Sequence, residues 1–163
     1  MFDLRDYQHE TLRQIRRRYR DGLRRLLIAL PTGTGKTVIF AALPEFFEIK
    51  HRMLVLAHRD ELIDQAVKKI EQMCPGRTIG VEQGSRRAGD AQIVVASVQT
   101  LGRGGGKRLA TFSPDDFKIF VVDEAHHAVA ETYLRILEYF GLMADGTDKL
   151  LLGFTATPQR GDK

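Results

Sequence analysis

Proline, glycine, lysine and threonine stand together at Pro31-Thr32-Gly33-Thr34-Gly35-Lys36-Thr37, between an apolar run ending at Leu30 and an apolar segment from Val38 to Phe47. Strand, glycine-bearing loop and helix is the context in which a backbone cradles phosphate. Gly33 and Gly35 let successive N–H groups point inward at an anion, and the N-terminus of the following helix adds partial positive charge. Lys36 is placed to reach β- and γ-phosphate oxygens, and the Thr37 hydroxyl to sit on Mg²⁺. The strict pattern has glycine where Leu30 stands. Taken alone, the stretch also fits a glycine-rich helix cap carrying a solvent-exposed lysine.

A second set of chemical groups follows Ile119-Phe120-Val121-Val122. Asp123 and Glu124 come directly after this apolar run, so they emerge at the carboxyl edge of a sheet, where ligands bind in open α/β folds. There Asp123 is suited to hold Mg²⁺, directly or through water. Glu124 is suited to orient and deprotonate a water attacking the γ-phosphate. An acidic helix cap is the plainer alternative. His126 and His127 are adjacent, and neighbouring positions on a regular element do not turn two imidazoles toward one ion. Hydrogen bonding from His126 to nearby motifs is the better reading.

The elements that must position these groups can be read from apolar periodicity. Leu26–Leu30, Met53–Ala57, Thr78–Glu82, Ile93–Ser97, Phe117–Val122 and Leu150–Phe154 read as strands, most of them apolar on both faces. The first of these reads as a central strand. Helical spacing covers Tyr7–Arg20 with Asp6 as N-cap, a phosphate-loop helix ending near His51, a helix after Asp60 with Leu62, Ile63, Ala66, Val67, Ile70 and Met73 inward, and Glu131–Phe140. Strands alternating with helices predict an α/β fold, an open parallel sheet flanked by helices on both faces. Gly102–Arg108 reads as a flexible basic loop.

Length and composition set the bounds. Residues 1–163 suffice for one domain with a substantial core. No apolar run approaches the ~20 residues needed to cross a bilayer, so no membrane role is expected. Cys74 is the only cysteine, which rules out a disulfide or a cysteine-built zinc site within one chain. A cytoplasmic setting follows, with nucleoid association open. The net charge of +4 suits an anionic partner and equally an ordinary soluble domain. Arg13, Arg16, Arg17, Arg18, Arg20, Arg24 and Arg25 gather on and just after the first helix, with Leu12, Ile15 and Tyr19 as its buried stripe. They read as a solvated face or as a phosphate-contacting patch.

Five segments occur in a telling order: Leu4-Arg5-Asp6-Tyr7-Gln8, Pro31 to Thr37, Ala57-His58-Arg59-Asp60-Glu61-Leu62, Asp123-Glu124-Ala125-His126 and Thr155-Ala156-Thr157-Pro158. In these the chain resembles the first RecA-like lobe of a superfamily 2 helicase of the DEAD/DEAH type. The opening, the Ala-His-Arg and the Thr-Ala-Thr-Pro-x-Arg ending resemble the XPB-like and type III restriction-subunit branch rather than DEAD-box RNA helicases. The resemblance implies ATP and Mg²⁺ as cofactors and a nucleic-acid track, DNA favoured over RNA. It gives Lys36, Asp123 and Glu124 the catalytic duties, and Thr37 and Asp123 the metal. Arg5, Gln8, Thr32, Gly33, Thr34 and Gly35, with Lys36 and Thr37, would bind the nucleotide, the Gln8 amide reading adenine. Arg59 and Glu61, and then Ser97, Gln99 and Thr100, match stretches that touch the nucleic-acid backbone. His126, Thr155 and Thr157 match the motifs coupling the two sites. A second RecA-like lobe, absent from residues 1–163, would supply arginines to the γ-phosphate, a duty for which Arg160 is the only nearby residue here. Alternatives are a nucleotide- and polynucleotide-binding module without turnover, and the motor of a restriction complex.

Overall fold

The computed structural model describes residues 3–31, 33–127 and 130–156, and of His127 the backbone only. Thr32, Thr157 and Arg160, assigned above by resemblance, lie outside the described residues. The described chain runs α1 (Asp6–Arg20), β1 (Arg25–Leu30), α2 (Lys36–Phe46), β2 (Arg52–Ala57), α3 (Asp60–Met73), β3 (Ile79–Glu82), β4 (Ile93–Ser97), α4 (Val98–Gly102), β5 (Phe117–Asp123), α5 (Glu131–Tyr139) and β6 (Leu150–Ala156). The six strands form one sheet in the order β1-β6-β5-β2-β4-β3, and every pairing is parallel. All strand ends that precede a candidate motif therefore meet at one edge.

Successive residues of a strand point to opposite faces, and that alternation divides the core. Met53, Val55, Ile93, Val95, Ile119 and Val121 face one way, onto Leu12 and Ile15 of α1, Phe40 and Leu43 of α2, and Ile63 and Ile70 of α3. Leu54, Leu56, Val94, Ala96, Phe120 and Val122 face the other way, onto Leu101 of α4 and Tyr133, Ile136 and Leu137 of α5. Burying one such aliphatic side chain is worth roughly 1.5–3 kcal/mol. With both faces covered, the sheet is the two-sided α/β arrangement expected.

Four expectations need correction. Among the described residues β1 is an edge strand, not a central one, and Leu27 is 68% exposed. A run of apolar residues reports what the faces want, not whether a neighbour pairs along each edge. The N-cap of α1 is Arg5 rather than Asp6, because the Gln8 side chain accepts the Arg5 backbone N–H at 2.9 Å. This is one half of a capping box, with glutamine at its third helical position. α2 closes at Phe46, well before His51, where Glu48 takes a left-handed φ of 49°. Gly102–Arg108 is not a free loop: Gly102 ends α4, and Arg108 turns inward to pair with Glu82 at 3.0 Å and to donate to the carbonyls of Gly84 and Arg86.

The arginine-rich helix is partly anchored as well. The Arg16 guanidinium lies 4.0 Å from the Phe46 ring centre and donates to the Phe46 carbonyl at 2.7 Å. Arg24 stacks on Tyr19 at 3.9 Å. These two arginines tie α1 to its surroundings through cation–π contacts, while Arg13, Arg17, Arg18 and Arg20 stay exposed.

Candidate active site

β1 delivers the chain into the turn around Gly33 and Gly35, whose φ values of 82° and 75° are left-handed and open to glycine at little cost. Thr34 bridges the turn, its N–H and its hydroxyl both donating to the Pro31 carbonyl, at 3.3 and 2.7 Å. Gly35 caps α2, and Lys36 and Thr37 are the first two residues of that helix, so its unpaired N–H groups open onto the turn. The opening of α1 clamps the turn from the side. Gln8 is 5% exposed and donates through Nε2 to the Thr34 carbonyl at 3.4 Å, and the Tyr7 hydroxyl donates to the same oxygen. A cavity of about 210 Å³ lies between them, lined by Asp3, Arg5, Tyr7, Gln8, Gly33, Thr34, Gly35 and Val38. Arg5 stands exposed at its mouth. A larger hollow of about 500 Å³, among Tyr19, Phe47, Ile119 and Leu150, opens at the opposite, amino edge and meets none of these groups.

β5 brings the acids to the same edge. Asp123 is 2% exposed and its Oδ1 lies 3.4 Å from the Lys36 ammonium. That oxygen also accepts the Glu124 N–H at 2.9 Å. The bond helps hold Glu124 at a φ of 53°, a left-handed setting that costs an ordinary residue about 1–2 kcal/mol. Glu124 Oε2 lies 3.1 Å from His58 Nε2, which stands just beyond β2. Lys36 keeps about a quarter of its side chain exposed (26%), so it is neutralised by Asp123 yet still reachable. Behind the acids, Tyr133 is 3% exposed, and among the described residues its hydroxyl has no hydrogen-bond partner. Burial, and behind it the charges of Glu124 and Asp123, push that phenol up to about 12.

The remaining motif residues flank this pair on both sides. On the β6 side, His126 Nδ1 and Thr155 Oγ1 are 3.2 Å apart, and Thr155 stands in register with Ala29 of β1. On the β2 side, Arg59 caps α3 and is exposed. Ser97 caps α4 by accepting the Thr100 N–H at 3.3 Å, and its hydroxyl donates to Gln99 Oε1 at 3.1 Å. Gln99 Nε2 donates to the His58 carbonyl at 2.9 Å, and Thr100 Oγ1 accepts the Gly84 N–H at 3.1 Å. Tyr7 and His58 were not singled out from sequence as site residues. Tyr7 could have been found from its place one residue before Gln8, whereas nothing local marks His58 as the neighbour of Glu124.

The donor set fits a nucleotide with a hard divalent cation. The Thr37 hydroxyl and the Asp123 carboxylate offer oxygen ligands of the kind Mg²⁺ takes. The turn is also shaped by what it excludes. A Cβ on Gly35 would meet Gln8 Nε2 at 2.8 Å, so only glycine leaves the loop and its clamp in place.

An open parallel sheet bearing a glycine turn, a lysine and an acidic pair at its carboxyl edge is the RecA-like lobe of a P-loop NTPase. The family is narrower. Residues 1–160 match the family described as the type III restriction enzyme res subunit, and the chain belongs to it, within the superfamily 2 helicases. The chain is 36% identical over 98% of its length to a candidate mitochondrial ATP-dependent helicase, irc3, of Schizosaccharomyces pombe. It is 35% identical, again over 98% of its length, to a candidate ATP-dependent helicase, IRC3, of Saccharomyces cerevisiae. It spans 27% and 24% of those relatives' own lengths. The crystal structure of the Hef helicase domain of Pyrococcus furiosus superposes with a TM-score of 0.75 at 26% identity, covering 97% of this chain and 34% of that one. The chain is accordingly a superfamily 2 helicase-like ATP-binding lobe.

Proposed function

We propose that this lobe is the ATP-hydrolysing half of a DNA helicase or translocase, completed by a second RecA-like lobe. The observation that carries the reading is the Lys36–Asp123 contact of 3.4 Å, with Glu124 the next residue along the same edge. A lysine for phosphate, a buried carboxylate for the cation and a second carboxylate for water are the parts that phosphoryl transfer to water requires. Thr37 and Asp123 would hold Mg²⁺, which neutralises charge on the phosphate oxygens when bound. Gly33, Thr34, Gly35 and Lys36 bind and orient the phosphates. Glu124 takes the proton of the attacking water. Gln8 spends one amide hydrogen and one lone pair on Thr34 and Arg5, leaving a second of each for the adenine edge. Arg59, Ser97, Gln99 and Thr100 contact the track through phosphates, so binding is nearly independent of sequence and strongly dependent on salt.

Charge that builds on the γ-phosphoryl oxygens in the transition state needs an arginine from outside the loop, worth roughly 10³–10⁵ in rate in P-loop enzymes. The second lobe supplies it. Residues 1–163 alone therefore bind MgATP and hydrolyse it barely above background, even with saturating DNA. A nucleotide at 100-fold excess over its Kd stabilises the lobe by about 2.7 kcal/mol, seen as a raised Tm. Lys36→Ala removes most of that shift, and an undiminished shift would refute the phosphate-loop assignment. Joined to its second lobe the protein turns over in a DNA-stimulated manner, and Glu124→Gln abolishes turnover while leaving nucleotide binding intact. A two-lobed protein that binds ATP and DNA without turnover would instead be a binding module. Rapid phosphate release by the lone lobe, lost in Glu124→Gln, would show that one lobe suffices.

A further inference from the structure

Glu124 has a neighbour just beyond β2. Its Oε2 is buried and lies 3.1 Å from His58 Nε2, while the residue itself sits at a φ of 53°. Strained non-glycine backbone persists where the surroundings over-determine it, and such places cluster at switches and active sites. The sheet order explains the partner. β2 lies between β5 and β4, so the first residue past β2 separates the acids at the end of β5 from the polar cluster at the end of β4. His58 occupies that place with both of its ends engaged. Its ring meets Glu124, and its backbone carbonyl accepts Gln99 Nε2 at 2.9 Å. Gln99 in turn accepts from Ser97, whose hydroxyl caps α4. Next to His58 in the chain is Arg59, exposed at the cap of α3.

We propose that His58 is a positioning residue that holds the Glu124 carboxylate away from the attacking water until Arg59, Ser97 and Gln99 engage nucleic acid. The inference rests on the function proposed above and adds a route for its regulation. An oxygen turned into the protein toward an imidazole cannot at the same time accept a proton from water over the phosphate turn. Contacts made by Arg59 and Gln99 on a phosphate backbone pull on the segment that carries His58, at its side chain's neighbour and at its own carbonyl. Release of the ring frees Glu124 to rotate toward the turn. This path crosses the sheet through β2 and is separate from the His126–Thr155 contact on the β6 side.

The test is made in the full-length protein, with His58→Ala, His58→Gln and the parent compared. The parent first establishes DNA-stimulated ATP turnover; a parent with none refutes the function itself, and this inference with it. In His58→Ala, turnover without DNA rises while turnover with saturating DNA and the KM for ATP hold, so the stimulation ratio falls about tenfold, within the usual range of a coupling free energy between two sites. Glutamine places an amide near the site of Nε2, and His58→Gln restores part of the ratio. Binding supplies a readout independent of turnover, because coupling between two sites is reciprocal. Fluorescence anisotropy of a labelled oligonucleotide, with and without a non-hydrolysable ATP analogue, gives a smaller nucleotide-dependent change in Kd for His58→Ala than for the parent. An unchanged stimulation ratio, or a loss of kcat equal with and without DNA, overturns the latch. So does a glutamine variant no better than alanine.

Discussion

Replacing Gly35 by alanine tests the clamp on the phosphate turn, and the structure sets the size of the effect. The backbone there has a φ of 75°, and left-handed geometry costs an L-residue about 1–2 kcal/mol. The new methyl would also stand 2.8 Å from Gln8 Nε2, closer than van der Waals contact allows. Gln8 must then give up its bonds to Thr34 and to the Arg5 N–H, at about 0.5–1.5 kcal/mol each. The sum is about 2–5 kcal/mol. Gly33 provides the control, since its φ is 82° but a Cβ there meets nothing within 4 Å among the described residues. Gly33→Ala should cost only the backbone share, about 1–2 kcal/mol. Removing the obstacle by Gln8→Ala should bring Gly35→Ala down to that same share, a coupling of about 1–3 kcal/mol between two touching sites. Equilibrium unfolding in urea of the four variants and the parent measures all of these. If Gly33→Ala and Gly35→Ala cost the same, or if Gln8→Ala and Gly35→Ala are additive, Gln8 does not brace the turn.

Further substitutions probe the surroundings. Arg108→Ala leaves Glu82, 1% exposed, without its cation, and breaking a buried pair from one side costs about 3–5 kcal/mol. The low end applies, because the Ala88 N–H still donates to Glu82 and Arg108 is itself partly exposed. Exposed Arg103→Ala should stay within about 0.5 kcal/mol, and equal costs in urea unfolding would refute the inward assignment of Arg108. Tyr133→Phe removes a buried hydroxyl that has no partner among the described residues and should raise stability by about 1 kcal/mol. Its pKa is raised from 10.0 to about 12, so between those values the unfolded chain sheds the proton while the folded one keeps it, and stability falls as pH climbs. Tyr133→Phe should lose less stability than the parent over that window, and parallel losses would refute the burial of the phenol.

The sequence carries the strands and the turn plainly, because apolar runs and glycine spacing are local signals. What it hides depends on which strands become neighbours. Leu26–Leu30 looks like a strand buried on both sides, yet nothing in those residues says that β6 pairs with one edge and that Leu27 is left facing out. Arg108 reads as one of several loop cations. Its partner Glu82 is on β3, and the two meet because β3 lies beside β4, whose following segment carries the arginine. His58 stands in a recognisable Ala-His-Arg segment, but its contact with Glu124 exists only because β2 is the neighbour of β5. Gln8 was legible as a site residue, and its double duty as capping-box partner and brace of Thr34 became visible only with the turn in place.

Sheet order also bears on how one lobe can sense two ligands. In the chain, the phosphate turn, His58, Ser97, the acids and Thr155 follow one another in that order. In the sheet they are rearranged, so that the β5 acids stand in the middle, with β6 and β1 on one side and β2 and β4 on the other. The nucleotide half reaches Asp123 through Lys36 and joins the β6 side through His126 and Thr155. The polar cluster past β4 reaches Glu124 through Gln99 and His58. Asp123 and Glu124 are thus adjacent in the chain but tied to opposite halves of the edge, joined to each other by the Glu124 N–H bond to Asp123 Oδ1. A displacement of either half changes the geometry between the two carboxylates, to which the proposed function gives the cation and the attacking water. On the function proposed above hydrolysis would require both in place, so the parallel order β1-β6-β5-β2-β4 would itself make the chemistry conditional on both sides of the edge.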